Sequence, residues 1–423
     1  MRALAVPFTG ISPASSRVLV RSGTVLTMSP RLGTIDQGGV VVALNGETPP
    51  MIEEVGRAVD LQRGRDLPVI DCRDALLIPG LINCHTHLEL SALAGRTCPH
   101  QGFTAWANSL HPLLKERMDV TAIAHALERM WETGTVMAAD MGGYDAPRVA
   151  RALESDPRID LFFMIQRMGF SRPKNDVLRP YAFARDIADG YLSRQRFAYA
   201  GHALYSTHPR TLQLTKAWCD AHNMPFAIHL AESRDEVELL RDGSGPLAAT
   251  LRGSGLLPSG FTPLGCSPIA YAHELGLLGP STLAIHCVQA SDRDIELLAA
   301  TQTSVCVCPC SNAYIGVGAA PVNAMRQAGI NLCLGTDGLS SNHDLDLSRD
   351  MDMLLAMGHD LDMETVVSMG TKNGARILGV SDQYGTIEPG KRAALAMIAS
   401  SQVEPASRKR IMTASGVHGQ KSS

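Results

Sequence analysis

No stretch of the sequence reaches the roughly 18 consecutive apolar residues of a membrane-spanning helix. The opening "MRALAVPFTGISPASSRVLV" has one early Arg but no sustained apolar segment of the secretory kind. A cytoplasmic protein is therefore expected, with no membrane partner. Charge of one sign is missing too. With 38 Lys and Arg against 42 Asp and Glu the formal net charge is −4, so no basic stripe awaits nucleic acid, and a small-molecule partner is expected. Ten cysteines lie along the chain without a regular framework, which suits reduced thiols better than disulfides. Their one cluster is "VCVCPC". Strand alternation would put Cys306, Cys308 and Cys310 on one face, but CxCxC is not a usual zinc spacing and Pro309 interrupts it, so buried thiols are the reading. No internal repeat, heptad or charge run stands out.

What the sequence does contain is a globular composition, 45% hydrophobic and 19% charged over 423 residues, enough for a substantial core. Short apolar runs alternate with helical patterns from about residue 79 to about residue 380, the mark of an α/β fold with parallel strands. Eight strands are expected: "GLINCHTH" (80–87), "TVMAADMG" (135–142), "LFFMIQRM" (161–168), "FAYAGHAL" (197–204), "PFAIHLAE" (225–232), "TLAIHCVQ" (282–289), "SVCVCPCS" (304–311) and "NLCLGTDG" (331–338). That number of strand-plus-helix units fits a (β/α)8 TIM barrel, with its active site at the C-terminal strand ends. "AWANSLHPLLKERMDVTAIAHALERMWE" and "HPRTLQLTKAWCDAHN" carry helical spacing between strands. The long, Gly- and Pro-rich segment 234–280 is either a cover for the mouth or a surface excursion.

Both ends of the chain read differently. "RVLVRSGTVLTM", "GGVVVALNG" and "LPVIDC" near the start, and "GTIEPGKRAALAMIA" at 385–399, are short β segments. One small β-sandwich domain is expected from residues 1–78 and 382–423, beside a barrel of 79–381, with "SRKRIMTASGVHGQKSS" as a last strand and frayed tail.

His85 and His87 stand at positions i and i+2 of the first barrel strand and so point to one side. Alone, an HxH pair is weak. The fifth strand, however, ends in "AIHLAES" with His229 and then Glu232, the sixth in "AIHCVQA" with His286, and the eighth in "LGTDGLSS" with Asp337. Burying such groups without partners is costly, whereas a divalent cation satisfies them and leaves a place for water. A bound cation lowers the pKa of its water towards about 7, so hydrolysis is implied, with Glu232 in reach as the proton shuttle.

"PGLINCHTHLEL", "IHLAES", "IHC", "CPCSNAYIGVG" and "LGTDGLSSN", in this order, resemble the amidohydrolase superfamily, in its mononuclear aminohydrolase branch. The resemblance runs from about residue 17 to about residue 400. It implies that His85, His87, His229 and Asp337 bind one divalent ion per subunit, Fe2+ or Zn2+, since three His and one Asp suit several metals. It further implies that Glu232 protonates a ring nitrogen, that His286 orients the nucleophile and that Asp337 takes the water's proton as an aminated heterocycle loses ammonia. A homodimer is also implied.

Within that branch, Glu89, Trp106, His202, Tyr205, Ser206, His208 and the "RDGSGPL" segment are more similar to the aminodeoxyfutalosine deaminases of menaquinone biosynthesis than to those acting on S-adenosylhomocysteine, methylthioadenosine or, in the chlorohydrolase-like manner, other heterocycles. Such a resemblance implies an aminated purine nucleoside as substrate. Glu89 is then a ribose acceptor, or a rim carboxylate in a salt bridge. Trp106 stacks on a substrate ring or packs on the barrel. His202 faces the ligand, while Tyr205, Ser206 and His208 donate to a benzoate or make structural hydrogen bonds. Leu204, Val307 and Ala393 or Ala394 depart from the family pattern, where Pro, His and Asp are usual. A binuclear hydrolase would supply a bridging lysine from the fourth strand, and "FAYAGHALYS" has none. A catalytically inactive binding barrel is the rival of another class, and the intact set of His85, His87, His229, Glu232, His286 and Asp337 speaks against it.

Overall fold

The computed structural model describes residues 2–8, 15–44, 49–115, 119–143, 149, 152, 158–170, 196–257, 260–358 and 360–399. The expected tail strand and the end of the expected 382–423 segment lie outside them. No helix among the described residues is long and apolar enough to cross a membrane.

The chain begins with strands β1 (Ala3–Ala5), β2 (Arg17–Leu26), β3 (Thr34–Asp36), β4 (Gly38–Ala43), β5 (Met51–Arg57) and β6 (Val69–Pro79). It continues with β7 (Leu81–Thr86), β8 (Thr135–Asp140), β9 (Asp160–Arg167), β10 (Phe197–Ala203), β11 (Phe226–Leu230), β12 (Thr282–His286), β13 (Ser304–Val307) and β14 (Leu332–Leu334), and returns in β15 (Leu395–Ala399). Strands β7 to β14 pair in parallel and in sequence order, one for each apolar run expected. They are buried almost throughout, as strands covered on both faces must be. The last meets the first: Asp337 N donates to His85 O (3.0 Å), and the Asn83 amide donates to Thr336 Oγ1 (2.7 Å). The result is a (β/α)8 TIM barrel.

Helical periodicity accounts for the outer layer. In Val120–Glu132, Ile123, Ala126, Leu127 and Met130 form the buried stripe, and Asp119 caps the start by accepting from Thr121 N. The helical pattern before it is broken into Phe103–Leu110 and a 3-10 turn at Leu113–Lys115, because Pro112 has no N–H to continue the ladder after His111 N donates to Ala107 O (2.9 Å). A second difference concerns "VCVCPC". Strand β13 stops at Val307 and Pro309 opens the helix Pro309–Ile315, so Cys310 leaves the strand face while Cys306 and Cys308 stay buried.

The second sheet runs β1-β15-β6-β2-β4-β5, with β3 on β2. Its strand β5 was not expected from the sequence; it is an edge strand with little burial, so "MIEEVGR" needs no apolar alternation. Alternation in β15 divides its side chains between two cores. Leu395 and Met397 join Val18, Val20 and Val40 in the small core, while Ala396 and Ile398 join the barrel's. Gly80 links the two bodies where a Cβ would lie 2.4 Å from a Val136 methyl, so nothing larger fits.

Candidate active site

Each histidine stands at the mouth because a strand ends there. His85 lies on β7, His87 just past it, His229 on β11 and His286 at the last position of β12. Asp337 follows β14. The ring centroid of His85 lies 4.8 Å from that of His87, 5.0 Å from His229 and 5.6 Å from His286. Asp337 Oδ1 lies 3.3 Å from His85 Nε2 and 3.6 Å from His87 Nε2. All the expected cluster residues therefore converge.

The rings are held from behind. His87 Nδ1 meets Met141 O (2.9 Å), His229 Nδ1 meets His202 O (2.9 Å), and His286 Nδ1 meets Asn312 Oδ1 (3.0 Å). A carbonyl behind Nδ1 requires the proton there and leaves the Nε2 lone pair facing the centre. His85 is fully buried, and neither of its ring nitrogens has a hydrogen-bond partner. That is costly unless a cation takes the lone pair. Donor atoms of His85, His87 and His229, and of His85, His286 and Asp337, lie within 4.8 Å of one another. The donor set fits a divalent cation.

Several of these groups sit on strained backbone. Ala231, His286, Cys287 and Asp337 all have left-handed φ, at 48°, 70°, 48° and 60°. Such strain in residues other than glycine gathers at functional sites, where surrounding contacts impose it. Close approach matters as well: a Cβ on Gly335 would lie 2.7 Å from His85 Cβ and 2.9 Å from Cys306 Sγ.

Glu232 is buried with Oε1 3.7 Å from His286 Nε2. Burial, with Asp337 and Glu236 adding repulsion, raises its carboxyl well above the ordinary range, which favours the protonated form. Asp337 behaves oppositely. Burial opposes its charge, but the close approach of His85 Nε2 and the fields of His85, His87 and His286 overcome it and hold the carboxyl well below its usual value. Ser311 Oγ donates to its Oδ2 (2.7 Å) and Gly338 N to its Oδ1 (2.9 Å). Two carboxyls in one pocket are thus driven apart, an arrangement in which one can give a proton and the other take one.

The remaining expected residues divide. His202 reaches the cluster, its ring 5.3 Å from His229 and its Nδ1 against Ser206 Oγ. Tyr205 stands edge-on to Phe103 (5.7 Å) and His202 (6.0 Å). Glu89 is at the rim, both carboxylate oxygens 3.1 Å from Gly143 N. Trp106 gives its indole N–H to Ser340 O (2.8 Å) and packs on Phe103. His208 lies apart from the cluster and caps the helix Pro209–Ala221, with Nδ1 accepting from Arg210 N (3.1 Å), the structural alternative for that residue. The helices Arg234–Asp242 and Gly245–Gly253 of the long segment pack Leu239, Leu247 and Leu251 in one apolar cluster with Phe103, Trp106 and Tyr205.

Sequence reasoning missed the supporting groups. Asn312 and Ser311 stood in "CPCSN" without a role. Three buried carboxyls also went unremarked: Asp140 accepts from Leu88 N (2.8 Å), Glu236 from Glu232 N (2.9 Å) and Asp350 from Cys310 N (3.0 Å), each tying down the chain just past a barrel strand. Burial pushes Glu236 and Asp350 up to about 7 and Asp140 up to about 8. A carboxyl raised above its unfolded value of about 4 stabilises the fold fully below that value and loses the contribution as pH rises through the folded one. The buried histidines, with His85 and His202 lowered to about 4 by burial, oppose this only below their unfolded value of about 6.5. Between pH 6.5 and 8 the carboxyls set the sign, each worth up to about 1.4 kcal/mol per pH unit. The melting temperature of the metal-free protein is therefore expected to fall across that window; a flat or rising calorimetric profile would mean that they ionise freely in the fold.

Known proteins agree with this architecture. Residues 76–417 match the amidohydrolase family. A 5-methylthioadenosine/S-adenosylhomocysteine deaminase of Haloarcula marismortui is 31% identical over 397 residues, covering 90% of this chain and 84% of that protein. Among solved structures, a zinc-bound adenosine deaminase from Xanthomonas campestris superposes with a TM-score of 0.72 at 26% identity, covering 91% of this chain and 85% of that one. The aminofutalosine deaminase of Helicobacter pylori, in complex with methylthio-coformycin, gives 0.76 over 94% and 95% of the two chains, at an identity of 21% that speaks for the fold alone. The chain belongs to the amidohydrolase family, as a deaminase-type hydrolase acting on carbon–nitrogen bonds.

Proposed function

We propose that this chain removes ammonia hydrolytically from an adenine nucleoside substituted at the 5′ position, foremost 6-aminodeoxyfutalosine of menaquinone biosynthesis. The observation that carries the reading is the meeting, in one pocket, of a histidine and aspartate cluster with a buried carboxyl, Glu232, whose Oε1 lies 3.7 Å from His286 Nε2.

His85, His87, His229 and Asp337 would hold a divalent ion, which when bound supplies activated water at neutral pH. Glu232 gives its proton to the ring nitrogen, which makes the adjoining amine-bearing carbon electrophilic. His286, fixed by Asn312, orients the attacking water. Asp337, fixed by Ser311 and Gly338, takes one proton of the water and hands it to the departing amine, and the new hydroxyl's proton returns to the Glu232 carboxylate as the carbonyl forms. Tyr205 and His202 offer a flank for the purine, and Glu89 accepts from ribose hydroxyls.

A second reading, deamination of S-adenosylhomocysteine or methylthioadenosine, is favoured by the name of the 31% identical relative. The two readings differ only in what lies beyond the ribose. Side-by-side ammonia-release rates on aminodeoxyfutalosine, S-adenosylhomocysteine, methylthioadenosine and adenosine decide between them. The first reading expects kcat/KM on aminodeoxyfutalosine to exceed the others by about tenfold or more, a margin of about 1.4 kcal/mol. Faster turnover of either sulfur nucleoside replaces it with the second, and a metal-loaded protein silent on all four would favour an inactive binding barrel.

A further inference from the structure

Between His229 and Glu232 the chain turns sharply, with Ala231 in left-handed backbone. The carbonyls of this turn are used by the neighbouring chain: Leu230 O accepts from Cys287 N (3.1 Å) and Ala231 O from Gln289 N (2.8 Å). Its amides point the other way, to Glu236. The Glu236 carboxylate is fully buried, its Oε2 accepts from Glu232 N at 2.9 Å, and Ala231 N also hydrogen-bonds to it.

That arrangement departs from what "SRDE" leads one to expect. Ser233 caps the helix Arg234–Asp242 by accepting from Glu236 N (3.2 Å), the first half of a capping box. In a full box the acidic side chain would return to the amide of Ser233 itself. Here it reaches further back, to the amides of Ala231 and Glu232. The helix start forgoes one local bond, and the backbone beneath the acid gains a fixed anchor. Glu236 Oε1 is buried and makes no hydrogen bond, so the carboxylate is retained without satisfying its own full bonding capacity. A residue serving the helix alone would not need that placement.

We propose that Glu236 is a positioning residue for the reaction, holding the 231–232 peptide so that the Glu232 carboxyl stands at a fixed distance from the point enclosed by His85, His87 and His229. The inference rests on the reading of Glu232 as the proton-transferring group. Glu236 touches neither the ligand-type histidines nor the substrate space, and its effect passes through the main chain.

The test is ammonia release by the metal-loaded enzyme carrying Glu236→Ala or Glu236→Gln. With the anchor gone, Glu236→Ala is expected to lower kcat by about 100-fold, the scale of a misplacement of about 1 Å, with KM and metal content within twofold of the parent. Glu236→Gln keeps an acceptor oxygen for the two amides and is expected to recover most of that loss. Removing the negative charge beside Glu232 should also move the basic limb of its kcat profile to lower pH. A purely structural role would lower the amount of folded, metal-loaded protein and leave kcat per metal-loaded site at the parental value. Parent-like kcat in Glu236→Ala would overturn the proposal, as would a Gln variant with no recovery and an unmoved limb; the Gln profile decides the matter should the Ala variant not fold. These failures are distinct from failure of the underlying reading, which would appear as an active Glu232→Gln enzyme.

Discussion

Replacing Glu232 by Gln is expected to lower turnover by about 10²- to 10⁴-fold, the range of a lost general acid or base, while the bound metal stays at the parental amount. The side chain keeps its volume, and its neighbour on the cluster side is His286 Nε2 at 3.7 Å. Nothing among the histidines depends on it for support, since their rear nitrogens are held by Met141, His202 and Asn312. What disappears is the transferable proton. Burial, Asp337 and Glu236 keep that proton on the carboxyl in the resting protein, and an amide at the same place has none to deliver. Ammonia release and elemental analysis on the same sample read both quantities. Near-parental release from a metal-loaded Gln variant would remove Glu232 from the chemistry.

His229→Ala is expected to behave differently, losing metal and turnover together. The imidazole is buried, and burial with the surrounding histidines keeps it well below its usual pKa, so it presents a lone pair rather than a proton. Its removal takes one donor from the group formed with His85 and His87 and leaves His202 O without the N–H it accepts. Loss of a residue behind a metal ligand typically costs about 10–100-fold in affinity; loss of a donor should exceed that. Retention of a full equivalent of metal by His229→Ala would require a different ligand set.

The eight barrel strands could be read from the sequence because strands buried on both faces must be continuous apolar runs, and "GLINC", "FFMI" and "FAIHL" are such runs. The histidines could be read because they close those runs, and Asp337 because it follows the last. The supports could not. Asp140, Glu236 and Asp350 bond to backbone amides just past barrel strands, and such contacts carry no periodicity; Asp350 lies 40 residues from the amide it holds at Cys310. In the same way, "SRDE" is compatible with the helix start at Ser233 but carries no sign that its glutamate bonds back to Glu232 N. The edge strand β5 was missed because an edge has little to bury.

The pairing of Ala3 with Ile398, and of Ile78 with Leu395's neighbour Ala396, gives synthesis of this protein a late step. Strand β15 contributes alternate side chains to both cores, so neither is sealed until residues 395–399 have left the ribosome. Contacts between such remote positions are slow to form because the intervening loop must close first. Until they do, the apolar faces of β1 and β6 remain available to other chains. The nascent protein is therefore exposed to aggregation until β15 docks, and a chaperone would be needed most in that interval.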